Sequence, residues 1–330
     1  MRRHIVVGVD GSGAGETALL WAAEEASRRG LHLLIALAGD VLTESEHRLS
    51  GARDESAEIL RHSAATAMVA GRPCTIATML REQPPTELLL ALSEDAEMIV
   101  VGTHGRGRIA GALLGSVAYR VARNARCAVS VVPAGWRAPV AGSRRFVAVG
   151  VSPSRPGYEA LEFAFAAAEQ RGVPLLAVRS RPGFATRLLA ATADGYDGAR
   201  DGQQPLLTTL VRTAGRRHPG VEVVTELSRG PAAAALLAAA ERAELLVVGR
   251  PYAADRRLCR LGAVMPHLLP SVACPVVVVG QPVQLSSRRA VTSRIASSAT
   301  ARPDAWPALG MPLDPAGRTS VQAGSSYDRP

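Results

Sequence analysis

Glycine, serine and arginine gather in one stretch of this 330-residue chain, Gly102-Thr-His-Gly105-Arg106-Gly-Arg-Ile-Ala-Gly-Ala-Leu-Leu-Gly115-Ser116-Val117. Glycines let backbone N–H groups come close to an anion, and a helix starting after them adds free amides and partial positive charge. Ser116 supplies a hydroxyl donor. Five arginines and no acid lie between Gly102 and Arg126, so the stretch is locally cationic. A phosphate chain is its natural guest. Asp10, at the end of the apolar run Ile5–Val9, offers acceptors of the opposite kind. A carboxylate in one place and an amide-rich loop in the other complement the two ends of a nucleotide.

Shorter motifs explain less. Gly105-Arg-Gly107-Arg-Ile-Ala110 fits G-x-G-x-x-A, but no acid follows about twenty residues on, as a dinucleotide site requires. Gly11-Ser-Gly13-Ala-Gly15-Glu16 fails at its last position. All 38 basic residues are arginine. Lacking lysine, the chain can hold no Walker A motif, kinase-type lysine or Schiff base. Cys74, Cys127, Cys259 and Cys274 have neither C-x-x-C spacing nor a nearby histidine pair, which argues against zinc and a disulfide framework and suits a reducing cytoplasm. Cys127 and Cys274 read as buried structural thiols, and His104 as a solvent-facing loop residue.

The elements that must position these residues come twice. Val7-Gly-Val-Asp10-Gly-Ser12 matches Val149-Gly-Val-Ser152-Pro-Ser154 at an offset of 142, and Ile99-Val-Val-Gly102 matches Leu246-Val-Val-Gly249 at 147. The extra residues fall most easily in Asp194–Gln204. Within the first copy, Ile5–Val9, Leu31–Ala38, Cys74–Leu80, Met98–Val101 and Ala128–Val132 read as strands. Glu16–Arg29, Glu46–Ala70, Thr86–Glu94 and Gly111–Arg123 read as helices. Such alternation predicts an α/β fold: two tandem open parallel-sheet domains, five-stranded and Rossmann-like, with helices on both faces. The boundaries expected are 1–134 and 145–282 for the domains, 135–144 for the linker, and 283–330 for a disordered basic Ser/Arg/Pro-rich tail.

The net charge of +9 is unevenly spread. Residues 1–142 are net neutral, 143–282 carry +6 and 283–330 carry +3. A neutral first copy is no general polyanion binder, and an aromatic fraction of 4% gives few stacking platforms, so specific nucleic-acid binding is not expected. No apolar run reaches the length of a membrane span.

Gly102, two residues, Gly105, nine residues and Gly115-Ser116 form the ATP-binding signature of the universal stress protein family, which this sequence closely resembles. Ile5-Val-Val-Gly-Val-Asp10-Gly-Ser12 and Cys127-Ala-Val-Ser-Val-Val-Pro133 match the family too. The resemblance implies ATP as cofactor, with or without Mg2+, no dedicated catalysis, and pairing through the fifth strands. Carried over, Asp10 would meet the adenosine, Ala38 would line the base, and Gly102, Gly105, Arg106, Gly115, Ser116 and Val117 would hold the phosphates.

The second copy departs from the pattern. Ser152 stands for Asp10, Pro251 for His104, Tyr252 for Gly105 and Ala263 for Ser116. It is expected to be empty of nucleotide, although Arg250, Arg256, Arg257 and Arg260 could attract another anion. The expectation is an ATP-binding stress-response module, its domains paired as a pseudo-dimer, with a homodimer and an unidentified protein partner left open. The rivals are a slow ATPase or adenylyl-transferring enzyme and a nucleotide-free scaffold.

Overall fold

Runs such as Ile5–Val9 and Met98–Val101 have no polar side to turn to water, so a sheet built from them must be covered on both faces. The computed structural model, which describes residues 4–39, 46–70, 74–105, 114–139, 145–181, 203–250 and 264–280, shows that arrangement. In the first half β1 (His4–Val9), α1 (Gly13–Arg29), β2 (His32–Ala38), α2 (Glu46–Ala70), β3 (Ile76–Arg81), α3 (Pro85–Leu92), β4 (Met98–Gly102), α4 (Ser116–Asn124) and β5 (Ala128–Val132) alternate. The second half repeats the order as β6 (Phe146–Gly150), α5 (Arg155–Arg171), β7 (Leu175–Arg181), α6 (Gln203–Gly215), β8 (Val223–Arg229), α7 (Ala232–Arg242), β9 (Ala243–Gly249), α8 (Met265–Leu268) and β10 (Val276–Val279).

The ten strands form one continuous sheet in the order β3-β2-β1-β4-β5-β10-β9-β6-β7-β8. Strands are parallel within each half, with Ile5 opposite both Leu33 and Met98. The halves meet where β10 runs antiparallel to β5, Val276 facing Val131, Val277 facing Ser130 and Val278 facing Val129. Each half thereby covers the other's fifth-strand edge, which would otherwise offer unpaired backbone groups to a neighbouring chain.

One apolar core runs under α1, α2, α5 and α6 on one face, the other under α3, α4, α7 and α8. Small side chains let α1 sit close to the sheet: Ala18, Ala22, Ala23 and Ala26 are buried beside Leu19. Its ends are set locally. Ser12 caps the first turn by accepting the Gly15 N–H, and Gly30 stops the helix at φ 63°, a conformation that glycine adopts without a Cβ penalty. Ser154 and Gly172 do the same for α5.

Two boundaries differ from expectation. Helix α1 begins at Gly13 rather than Glu16, because Ser12 is already the cap. The fourth helix was expected from Gly111, but Leu114 and Gly115 are not helical. Gly115 is extended (φ −66°, ψ 143°) and donates its N–H to the Thr103 carbonyl, so α4 can start only at Ser116. Residues 283–330, the inserted stretch up to Gly202 and the second half of the linker, 140–144, lie outside the described residues.

At the seam, Ser130 is fully buried and its hydroxyl has no hydrogen-bond partner among the described residues. Such a group costs more than its removal, so Ser130→Ala is expected to stabilise the protein by about 1 kcal/mol. The midpoint of chemical denaturation measures this, and a lowered midpoint would show that the hydroxyl is satisfied.

Candidate functional site

In an open parallel sheet the place for a ligand lies beyond the carboxyl ends of the strands where strand order reverses. Here β1 pairs with β2 on one side and β4 on the other, so the reversal lies between β1 and β4. A cleft of about 470 Å³ opens there. That volume falls within the roughly 300–1,000 Å³ typical of small-molecule sites. Asp10, Ala38, Gly102, Gly105, Gly115, Ser116 and Val117 all line it, brought together from β1, β2, β4 and α4. Arg106 lies outside the described residues.

Asp10 is held rather than merely present. Its Oδ1 accepts from the Ser12 N–H at 3.0 Å and from the Ser12 hydroxyl at 2.6 Å, and that hydroxyl in turn caps α1. Glycines stand on both sides of the carboxylate. A Cβ on Gly15 would come within 2.9 Å of Oδ1, and one on Gly105 within 2.5 Å of Oδ2. Gly105 therefore makes room for the acid.

Gly102 has a different task. A Cβ there would lie 2.6 Å from the Ala14 carbonyl oxygen, and Gly249, its counterpart in the second half, stands in the same relation to the Pro156 carbonyl oxygen at 2.6 Å. Both glycines let a strand end pass under the first turn of α1 or α5. Gly102 is thus required by the fold as well as lining the cleft.

Another side of the cleft is built by α4. Unlike α1 and α5, this helix begins without a side-chain cap, and its first residues Ser116, Val117 and Ala118 line the cleft. Its leading amides lack the acceptor that Ser12 and Ser154 supply elsewhere, which leaves donors for an anion. At the other end of α4, Arg250 of the second half donates from Nη1 to the carbonyl of Ala125 at 2.6 Å, placing a cation at the negative end of the helix. His104 also lines the cleft, with Nδ1 3.0 Å from the Thr103 hydroxyl, and is half-buried rather than freely exposed.

Sequence reasoning missed the opposite wall. Pro85, Leu88 and Leu89 of α3, with Val9, Ala36 and Val101 of the strands, give the cleft an apolar side. The available signal was Pro84-Pro85 followed by Thr-Glu-Leu-Leu-Leu, a helix start placed by its crossover on the same face of the sheet as α4.

A second cleft of about 390 Å³ occupies the equivalent position between β6 and β9. Ser152, Ser154, Ser180 and Arg250 are its polar residues, among apolar ones such as Val178, Leu236 and Met265. Arg250, considered above as an anion contact there, spends its guanidinium on the first half: Nη1 reaches the Ala125 carbonyl and Nη2 the Cys127 carbonyl at 3.3 Å. Burial lowers its pKa to about 10, which leaves it charged at neutral pH. Pro251, Tyr252, Arg256, Arg257, Arg260 and Ala263 lie outside the described residues.

Cys127 and Cys274 are buried and in no disulfide among the described residues, and burial pushes Cys274 up to about 12, where it carries no thiolate at neutral pH. Among the described residues no group of three or more His, Cys, Asp or Glu is placed to hold a metal ion. No described helix is long and apolar enough to cross a membrane.

Comparison with known proteins agrees with this architecture. A universal stress protein of Mycobacterium tuberculosis (strain ATCC 25618 / H37Rv) is 30% identical over 289 residues, covering 84% of this chain and 97% of the relative. One of Mycobacterium bovis is 31% identical over 305 residues, covering 84% and 95%. Among solved structures, a universal stress protein from Archaeoglobus fulgidus superposes with a TM-score of 0.65 over 86% of this chain and 97% of its own, at 18% identity, which shows the shared fold. The model of the universal stress protein family matches residues 1–133 and again 144–280. The chain therefore belongs to the universal stress protein family and carries two of its domains in tandem.

Proposed function

We propose that the first domain binds ATP and that the protein is a cytoplasmic regulatory module without dedicated catalysis. One observation carries this reading. Gly105 is the residue whose missing side chain clears Asp10, and the second half has lost both together, with Ser152 for the acid and Tyr252 for the glycine. Gly249, which the fold needs, is kept. That pattern is expected if Asp10 and Gly105 serve a ligand rather than the packing.

The cleft suits the guest. Asp10 would accept from the ribose hydroxyls, Ala36 and Ala38 with Leu88 would border the base, and the uncapped start of α4 with Ser116 would receive the phosphates. Mg2+, where it accompanies ATP, would be held by phosphate oxygens rather than by a protein cage. Cys74, Cys127 and Cys274, in no disulfide among the described residues, are compatible with a reducing compartment.

Calorimetric titration of the full chain with ATP is expected to show one site per chain. No heat at millimolar ATP, and no nucleotide retained on purification, would reject the proposal. Sustained phosphate release that disappears in Gly115→Val would instead favour an enzyme.

A further inference from the structure

Arg250 belongs to the second half by sequence, where it corresponds to Thr103, but its guanidinium works in the first. From just beyond β9 it crosses to the turn that joins α4 to β5, donating from Nη1 to the Ala125 carbonyl at 2.6 Å and from Nη2 to the Cys127 carbonyl at 3.3 Å. The residue is 4% exposed.

Stability alone is poorly served by this contact. Among the described residues Nε has no hydrogen-bond partner and no carboxylate forms an ion pair with the guanidinium; Glu159, whose charge it feels, is paired with Arg155 at 3.0 Å. Taking a cation out of water costs far more than burying a neutral donor, and two backbone carbonyls could be satisfied by neutral donors. Thr103 carries no charge, so the second half receives no equivalent cation in return.

What the contact does reach is α4. This helix has nine residues, so it is about 13 Å long, and its two ends have different tasks. Ser116, Val117 and Ala118 line the first cleft, while the turn beyond its last residue is the one that Arg250 holds. Ala118, Val121 and Ala122 are buried, so the helix lies along the apolar core, where a charge is little screened by salt. Arg250 therefore acts on the leading amides in two ways of the same sign. It fixes the far end of the rigid element that carries them, and it cancels the partial negative charge of that end, so the positive end meets an anion unopposed.

We propose that Arg250 is a positioning residue for the phosphate site of the first domain, so that the second domain supplies part of the first domain's affinity for ATP. The role rests on the reading of the first cleft as an ATP site. It is also selective: Asp10, Ala36 and Ala38, which would hold the adenosine, stand on other elements that Arg250 does not hold. The phosphates alone should register its loss.

The test titrates the full chain with ATP, and with adenosine by displacement of ATP, in wild type, Arg250→Met and Arg250→Lys. Methionine fills the space without charge. Arg250→Met is expected to weaken ATP about tenfold and to leave adenosine within about twofold of wild type. Lysine returns the charge but lacks the planar fork that serves both carbonyls, so Arg250→Lys is expected to lie between, about threefold weaker for ATP. If the denaturation midpoint shows that Arg250→Met has not folded, Arg250→Lys decides by the same comparison. ATP affinity equal to wild type, or equal losses for ATP and adenosine, overturns the role of Arg250 and leaves the ATP site standing. A wild type that binds no ATP rejects the site, and this role with it.

Discussion

Asp10→Ala is expected to weaken ATP binding by about 10–100-fold, the value of roughly 1.5–3 kcal/mol for hydrogen bonds to a charged acceptor. The chain should stay folded. Asp10 supports the loop through the N–H and hydroxyl of Ser12, and Ser12 can still cap α1 without it. Gly105→Ala is expected to produce a similar loss by another route, because its Cβ would fall 2.5 Å from Asp10 Oδ2 and displace the carboxylate. The two effects share one cause, so they must not add. In an Asp10→Ala background the space for a Cβ at 105 already exists, and Gly105→Ala is expected to cost little more. A double-mutant cycle by calorimetry reads this coupling directly. Additive losses would mean that Gly105 acts through its own amide instead of through the room it leaves for Asp10.

Glu25→Ala is expected to have the largest effect on stability, a loss of about 3–5 kcal/mol, the range for breaking a buried ion pair by removing one partner. Glu25 of α1 accepts from Arg171 of α5 at 2.5 Å. Arg171 would keep Glu244 and the Ala167 carbonyl of its own half but lose its partner across the boundary. Burial by itself pushes the Glu25 carboxyl up, but Arg171, Arg29 and Arg28 together outweigh it, so its pKa lies below its ordinary 4.5. The sign of the pH dependence follows. A carboxylate with a lowered native pKa contributes stability that is complete above 4.5 and is lost as pH falls through the lower native value. Burial raises Glu244 and Glu24 instead, so their slopes oppose that of Glu25 on the acid side. Comparing wild type with Glu25→Gln isolates the single group: the gap in denaturation free energy is expected to be wide at neutral pH and to narrow as pH falls below 4.5. A gap independent of pH would show that Glu25 contributes packing rather than charge.

The two predictions differ in how far the sequence anticipates them. Asp10, the glycine spacing and Ser116 were legible because their chemistry is local: a strand end, a loop and a helix start each carry their own signal in a few adjacent residues. The alternation of elements and the repeat were legible for the same reason, since buried parallel strands must be apolar throughout and covering helices must show a 3.6-residue period. Where local signals were ambiguous the boundaries shifted, as at Gly115, whose extended backbone follows from a hydrogen bond to Thr103 that no periodicity reveals.

What a linear reading could not separate was why each glycine is a glycine. Gly102 and Gly105 belong to one motif, yet one clears the backbone of α1 and the other clears a carboxylate ninety-five positions away in sequence. The same holds for charge. Arg250 read as a cation available to an anion, and Glu25 carried no local signal at all. Both are spent on the opposite domain.

The sequence by itself determined that this chain is two copies of one nucleotide-type fold, the first with its loop chemistry intact and the second without it, because residue type and spacing encode strands, helices and anion-binding loops over short range. Only the tertiary structure decided that the copies share one ten-stranded sheet, which glycine clears the cleft carboxylate and which clears a helix backbone, and that Glu25 and Arg250 bind the halves together. The shared sheet and the bridging pair depend on which surfaces meet where the halves join, between residues more than a hundred positions apart, and the glycine roles on contacts within one half between residues 88 and 95 positions apart.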